Sequence, residues 1–295
     1  MFVKVGSYLG DDFQAPSTPV TGLAFPPVAA WIKRHGSTTV GYQFIKVGAT
    51  TVNKTIGLSD ASIDTPVTLD AGGFSIVAND IAVNGTTTTY DYILWGASAD
   101  DMAVFTYTGD AADNRDVGAF TFTPNFAFVL PDNVAGARQI WRSDQLAGDL
   151  SQRFDAAAAV NNIQAFGAGT IQVGTALNTN LINFYVAVFK TQANVFALTE
   201  FTGNDANDRD IAHGLGTTPV MAYVQAQTTA TAGRLWFTGD GTTSHVFTAG
   251  ADTTTGITVT GATNVQVDIE QNANTVVHTL VTFGQSLPSA GAPGN

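Results

Sequence analysis

Residues 107–117 read YTGDAADNRDV, and residues 201–211 read FTGNDANDRDI. The glycines and the arginines of the two stretches share one offset of 94 residues (203 − 109 and 209 − 115). A proline that begins an apolar run follows each stretch, at Pro124 and at Pro219. A fixed period of this size indicates repeated structural units. The chain is therefore built from tandem copies of one unit.

A fainter third copy stands at the front of the chain. Residues 8–12 read YLGDD, and residues 27–32 begin with a proline and read PVAAWI. Units of about 95 residues can fold alone, each with a modest core. We therefore predict three tandem domains, at residues 1–97, 98–191 and 192–285.

The last residues, 286–295, are rich in proline, glycine, serine and alanine. Such a segment cannot bury a core of its own and is predicted to be a tail. If it is ordered, we expect a neighbouring chain of an assembly to hold it.

The composition favours strands over helices. Charged residues make up 12% of the chain, about half the usual share, so threonine, asparagine, serine and glycine must cover much of the surface. Of the 24 acidic residues only Glu200 and Glu270 are glutamates, and aspartate favours turns over helix interiors. Short apolar runs alternate with turn residues throughout. The sequence predicts an all-β fold of three antiparallel β-sandwich domains of similar fold.

Several local patterns predict individual elements. Asn84-Gly85 is typical of a two-residue hairpin turn. The apolar run at residues 183–189 is continuous enough for a central strand. Asp155 before four alanines is also typical of a helix start, but Asn161-Asn162 would end such a helix quickly, so a loop is preferred and a short helix is the alternative. The strand at residues 233–237 matches the strand that contains Trp141.

Charge and length exclude several classes of protein. The net charge is −12 with 12 basic residues, so we expect no nucleic-acid binding and no adhesion to an anionic membrane. The chain has no cysteine, which excludes disulfides and thiolate metal sites. Residues 1–6 have no long apolar core, so we expect no signal peptide, and no apolar run of the sequence is long enough to span a bilayer. We expect synthesis in a host cytoplasm and release by lysis or by a route without a leader.

The two signature loops are dense in carboxylates and amides. Oxygen-rich loops can hold Ca²⁺, although the spacing does not fit an EF-hand. The alternative is an Asx-type turn that Arg115 and Arg209 fix by bidentate pairing to a carboxylate. The first copy has Pro16 where the arginine should fall. The repeat-signature residues are Gly109, Arg115, Asp116, Gly203, Arg209 and Asp210, and the candidate calcium ligands are Asp110, Asp113, Asp116, Asp205, Asp208 and Asp210.

The aromatic and histidine residues offer no clear catalytic pattern. Trp141 and Trp236 are candidate ligand or interface aromatics, but tryptophans in alternating strands are more often core residues. The histidines have no short metal-ligand spacing, and we expect structural or surface roles for them. No nucleophile elbow, phosphate-binding loop or zinc-protease motif is present. We predict no enzyme and no cofactor. The histidines are His35, His213, His245 and His278.

The signature pattern resembles tandem β-repeats of virion proteins of tailed bacteriophages, including tail-fibre-like, lectin-like and decoration modules. The resemblance rests on residues 107–117 with Phe122 and Pro124, and on residues 201–211 with Pro219 and the Gly-Leu-Gly before it. It implies a structural or adhesive role on a virion.

Three hypotheses follow. The first is a non-enzymatic virion surface protein, as capsid decoration or as a tail component, with other virion proteins as partners in a multi-copy assembly. Its units would form either a cluster that mimics a trimer or a row of beads. The second is a tail-tip module that binds a host surface glycan, which predicts exposed aromatics beside the signature loops. The third is an enzyme acting on capsule polysaccharide, which predicts two carboxylates facing one cleft.

Overall fold

The computed structural model describes residues 1–11, 17–36, 41–55, 67–76, 81–132, 139–241, 243–246 and 256–287. Its sheets are all antiparallel, and its helical segments are only three or four residues long. The predicted all-β fold class is confirmed. Pro16 and most of the predicted tail, residues 288–295, lie outside the described residues.

The strands follow the order of the repeats. The first unit contains β1 (Phe2–Leu9), β2 (Ser17–Val20), β3 (Pro27–Arg34), β4 (Tyr42–Val47), β5 (Thr50–Thr55), β6 (Val67–Asp70), β7 (Gly73–Ile76), the one-turn helix α1 (Ile81–Asn84) and β8 (Thr89–Gly96). The second contains β9 (Met102–Thr108), β10 (Arg115–Val117), β11 (Phe126–Pro131), β12 (Ile140–Ser143), β13 (Ile163–Gly167), β14 (Thr170–Val173), a 3-10 turn (Thr175–Leu177) and β15 (Asn183–Phe189). The third contains β16 (Phe196–Thr202), β17 (Arg209–Ala212), β18 (Met221–Ala226), β19 (Arg234–Phe237), β20 (His245–Val246), β21 (Ile257–Val259), β22 (Asn264–Val267), a 3-10 turn (Ile269–Gln271) and β23 (Val277–Phe283).

Each unit has one larger inner sheet and one three-stranded outer sheet. The inner sheets have the strand orders β1-β8-β3-β4-β5, β9-β15-β11-β12 and β16-β23-β18-β19-β20. The outer sheets have the orders β2-β7-β6, β10-β14-β13 and β17-β22-β21. Four strands of the inner sheet and three strands of the outer sheet follow the same order in all three units, as a repeated unit predicts. Whether the units are separate domains with the predicted limits stays a prediction.

The two sheets of each unit pack face to face around a core of their own. These three cores are lined by apolar residues of both sheets, for example Tyr8, Phe74 and Leu94 in the first unit, Tyr107, Val129 and Ile171 in the second, and Phe201, Val224 and Val265 in the third. Each unit is therefore a β-sandwich in the described residues.

A fourth core lies on the opposite faces of the three inner sheets and draws on all three units. Trp31, Phe128 and Tyr223 occupy equivalent positions, since each lies opposite the middle of the last strand of its unit. The Trp31 ring centroid lies 5.8 Å from that of Phe128 and 6.2 Å from that of Tyr223. Trp95 similarly contacts Phe283, with centroids 5.3 Å apart. We call this cluster the central core.

The central core explains why the inner strands are apolar on both faces. β15 lies between β9 and β11, as its continuous apolar sequence predicts, and from Val186 to Phe189 every residue is buried. Alternate side chains of this strand enter the sandwich core and the central core. The central strands of an inner sheet therefore pack on both faces, whereas exposed polar residues such as Thr106 and Glu200 lie in the edge strands β9 and β16.

A loop of the second unit inserts Phe154 into the central core. The Phe154 ring centroid lies 5.6 Å from that of Trp31 and 5.7 Å from that of Tyr223. The short helix considered at residues 155–159 is not formed, and the preferred loop is what the structure contains. The backbone of Ser151 pairs instead with that of Ala159, because the loop that places Phe154 in the central core reverses direction between these two residues.

The predicted hairpin turn at Asn84-Gly85 is wrong. Asn84 is the last residue of α1, and β8 pairs with β1 and β3 in the inner sheet. The strand before α1, β7, belongs to the outer sheet. The chain therefore crosses between sheets at this point and cannot form a two-residue hairpin.

The ends of the described chain meet. Val3 N donates to Ser286 O at 2.7 Å, and Ser286 N donates to Val3 O at 3.1 Å. Ser98 forms the equivalent bridge with Met102, and Gln192 forms it with Phe196. Ser98, Gln192 and Ser286 are each 94 residues apart (192 − 98 and 286 − 192). Each earlier linker contacts the unit that follows it, and the segment after the third unit contacts the first unit in the same way. The three units therefore form a closed cluster and not a row of beads.

Replacing Trp31 with alanine should destabilise the whole chain by about 3–5 kcal/mol, because the substitution leaves a cavity that borders all three units. Guanidinium unfolding followed by circular dichroism should still show one transition, at a lower midpoint. Leu9→Ala is the control, since Leu9 is 64% exposed, and it should change stability by less than about 0.5 kcal/mol. Early loss of only one third of the signal in the Trp31 variant would contradict a shared core.

Candidate functional site

The two signature loops have the same fold and connect the first inner strand of a unit to its first outer strand. Ala112 N donates to Asp110 Oδ1 at 3.0 Å, and Ala206 N donates to Asn204 Oδ1 at 3.2 Å. These are Asx-type turns, in which a side chain bonds the backbone two residues on. The turn interpretation of both loops agrees with this geometry.

Both loops also place a residue in the left-handed region at the same position. The φ angles are 55° at Asn114 and 53° at Asp208. Asparagine and aspartate tolerate this conformation better than other residues with a Cβ atom. The asparagine and aspartate content of the loops is therefore explained in part by backbone conformation.

The arginines anchor the loops mainly through carbonyl oxygens, and not through a bidentate pairing to a carboxylate. Arg115 Nη1 donates to Thr108 O at 2.7 Å and to Asn178 Oδ1 at 3.0 Å. The expected bidentate pairing to a carboxylate is wrong. Asp110 Oδ2 lies 3.4 Å from the same nitrogen, and its counterpart in the third unit is an asparagine. The third unit repeats the anchoring contacts, from Arg209 Nη1 to Thr202 O (2.6 Å) and to Asn272 Oδ1 (3.0 Å).

One buried asparagine supports each loop through hydrogen bonds, and the sequence analysis missed both of these residues. Asn178 Nδ2 donates to Asp110 Oδ1 at 2.6 Å and to Ala112 O at 2.7 Å. Asn272 Nδ2 makes the same contacts in the third unit, with Asn204 Oδ1 and Ala206 O, both at 2.7 Å. The two asparagines are also 94 residues apart (272 − 178), so the repeat offset could have identified them. Hydrogen bonds from Ala112 and Asn178 lower the pKa of Asp110 below its usual range.

The signature glycines are required by a close backbone approach. A Cβ atom would lie 2.0 Å from Thr179 O at Gly109 and 1.9 Å from Ala273 O at Gly203. Gly10 in the first unit faces the equivalent carbonyl, of Gly85, at 2.3 Å. No side chain fits at these distances, so the repeated glycine has a steric cause.

The aspartates of the loops are exposed, and their carboxylates do not converge. Within the described ranges, one group of three or more histidine, aspartate or glutamate side chains brings its ligand atoms within 4.8 Å of one another. None of the six candidate calcium ligands belongs to it. Asp113 accepts a hydrogen bond from Gln164, and Asp205 accepts one from Asn274 N, so both have partners in the loop's own surroundings.

Trp141 and Trp236 are both buried, at 0% and 6% exposure. Their strands are equivalent, but the residues are not. Trp141 lies opposite Phe128 and faces the central core, whereas Trp236 lies opposite Ala222 and faces the core of its own unit. Trp236 therefore corresponds to Arg142, because a shift of one residue moves a side chain to the other face of a sheet.

The converging group consists of His35, Asp91, Asp240 and His245. His35 Nδ1 lies 3.0 Å from Asp91 Oδ2, and His245 Nε2 lies 3.0 Å from Asp240 Oδ2. The cross distances, from His35 to Asp240 and from His245 to Asp91, are both 3.8 Å. Burial, and then the neighbouring charge of Asp240, raises the pKa of Asp91 above its usual range, while the histidines oppose this shift. We call these four residues the histidine–aspartate cluster.

Sequence spacing gave no signal for this cluster, because two of its residues belong to the first unit and two to the third. The other histidines serve their own units, as the predicted structural role requires. His213 Nδ1 accepts from Leu215 N at 3.1 Å, and the His278 ring stacks on Phe201 with centroids 5.0 Å apart. Burial lowers the pKa of both histidines, which favours their neutral forms.

Comparison with models of known protein families and with curated proteins found no match. No helix in the described parts of the chain is long and apolar enough to cross a membrane.

Replacing Asn272 with alanine should destabilise the chain by about 2–3 kcal/mol, because it removes the hydrogen bonds that the buried side chain makes with Arg209, Asn204 and Ala206. Thermal or chemical unfolding measures the loss. Asp210→Ala in the same loop is the matched control, and it should stay within about 0.5 kcal/mol of the parent chain because Asp210 is exposed. Equal effects of the two substitutions would argue against a structural role for the asparagine.

Proposed function

We propose that the chain is a non-enzymatic structural protein on the surface of a tailed-bacteriophage virion, and that it acts through assembly interfaces. The observation that carries this proposal is the closed cluster of three units around the central core. One chain thereby presents three similar faces, as a trimer of single-domain subunits would. A surface of this kind suits attachment at a position of threefold symmetry.

The closed cluster favours capsid decoration over a place in an extended fibre. Threefold positions are common on icosahedral shells, and a closed cluster can bind one with three similar contacts. A row of beads would have suited a fibre better. The signature loops of the second and third units lie at equivalent places, so they are available as similar contact points for other virion proteins.

Two observations weigh against the rival hypotheses. The carbohydrate-binding module requires exposed aromatics beside the signature loops, and Trp141 and Trp236 are buried. The polysaccharide-cleaving enzyme requires two accessible carboxylates in one cleft. Asp91 and Asp240 do face each other, but their side chains are only 9% and 3% exposed, so a sugar chain has no access to both.

Immunogold electron microscopy tests this proposal. Antibodies raised against the purified chain should label intact particles from the lysate in which the chain is made, and the label should lie on the capsid. Labelling of the tail would keep the virion role and overturn the preference for decoration. The proposal fails if gradient-purified particles lack the chain and all of it remains in the soluble fraction of the lysate.

A further inference from the structure

The histidine–aspartate cluster lies at the contact between the first and third units, which are not consecutive in the chain. His35 follows β3, and Asp91 lies in β8 of the same inner sheet. Asp240 lies in the turn after β19, and His245 lies in β20. Each unit thus supplies one imidazole and one carboxylate to the same point.

We propose that these four side chains bind one divalent transition-metal ion, with Zn²⁺ as the best match, and that the ion joins the first unit to the third. The site is separate from the signature loops and goes beyond the structural role proposed above.

The distances fit a compact four-coordinate site. Four ligand atoms placed about 2.0–2.2 Å from a tetrahedral zinc ion lie about 3.3–3.6 Å from one another. His35 Nδ1 lies 3.0 Å from Asp91 Oδ2, and His245 Nε2 lies 3.0 Å from Asp240 Oδ2. The two cross distances are 3.8 Å, from His35 Nδ1 to Asp240 Oδ1 and from His245 Nε2 to Asp91 Oδ2, and one ligand atom of each residue lies within 4.8 Å of the others. Small rotations of the side chains would therefore complete the tetrahedron.

Burial and charge also favour a cation at this point. The side chains of Asp240 and His245 are 3% and 0% exposed, and that of Asp91 is 9% exposed. Two buried carboxylates that face each other repel, and each loses hydration. A divalent ion between the two carboxylates would balance their charge.

The backbone holds the ligands in position. Phe237 N donates to Asp240 Oδ2 at 2.6 Å, and His35 N donates to Thr89 O at 2.9 Å. Hydrogen bonds of this kind orient ligands and raise metal affinity. His245 is fixed by the pairing of β20 with β19, opposite Leu235.

The donor set selects the class of metal. Imidazole nitrogens favour zinc and its neighbours in the first transition series, whereas Ca²⁺ and Mg²⁺ prefer sites made of oxygen alone. Four protein ligands, three of them with little exposure, are typical of a structural zinc site, since catalytic sites keep a position open for water. The expected role is therefore to stabilise the closed cluster, and not to carry out a reaction.

The test measures Zn²⁺ binding to the purified full-length chain after treatment with a chelator. Isothermal titration should give one ion per chain, and Zn²⁺ should raise the thermal midpoint through mass action. His35→Gln is the decisive variant, because the His35 side chain is 41% exposed and its loss should leave the fold intact. Zinc affinity should fall by at least about 100-fold, since even residues behind the ligands are worth about 10- to 100-fold.

Asp116→Asn, in an exposed signature loop, is the matched control and should bind Zn²⁺ as the parent chain does. Co²⁺ substitution gives a second readout, with visible absorption bands of a four-coordinate ion that the His35 variant should lose. Unchanged affinity in His35→Gln would overturn the proposal, as would equal losses in both variants. Absence of stoichiometric binding by the folded parent chain would also overturn it, and the cluster would then be a pair of histidine–aspartate hydrogen bonds.

Discussion

The packing of aromatic rings between three inner sheets is the contact on which the rest of the molecule depends. Trp31, Phe128 and Tyr223 meet where no single unit could bury them alone. Their burial places apolar residues on both faces of the central strands of each inner sheet, and the outer sheets have one face toward solvent. It also requires that the third unit return to the first, which the pairing of Ser286 with Val3 accomplishes.

Several buried polar side chains bond backbone or side-chain groups that the packing would otherwise leave without partners. Gln225 illustrates this at the border of the central core, where its Oε1 accepts from Trp141 Nε1 at 3.1 Å and its Nε2 donates to Arg153 O at 2.7 Å. Asn178 and Asn272 do the same beneath the signature loops. Each replaces water with fixed partners, so these residues specify the loops and the contacts between units without any chemical reactivity.

Much of the fold could be predicted because the repeated residues act within their own copy of the unit. The 94-residue offset identified Gly109 and Gly203, and their steric role is a property of the chain near them. Asn84-Gly85 was misjudged, since the crossing between the two sheets of the first unit decided its structure, whereas the loop preferred after Asp155 is present. Composition could not show which core Trp236 enters, because a shift of one residue between matched strands moves a side chain from the central core to the core of its own unit. The histidine–aspartate cluster left no trace in the sequence, since contacts between distant units set its geometry.

The central claim is that the three units share one core and fold together. A chain truncated after residue 191 tests it most directly, because this removes Tyr223, Phe283 and the strand that carries each. The account predicts that the truncated chain loses cooperative thermal unfolding and binds a hydrophobic dye through its exposed aromatic face. A truncated chain that unfolds cooperatively at the midpoint of the full-length protein, without dye binding, would contradict it.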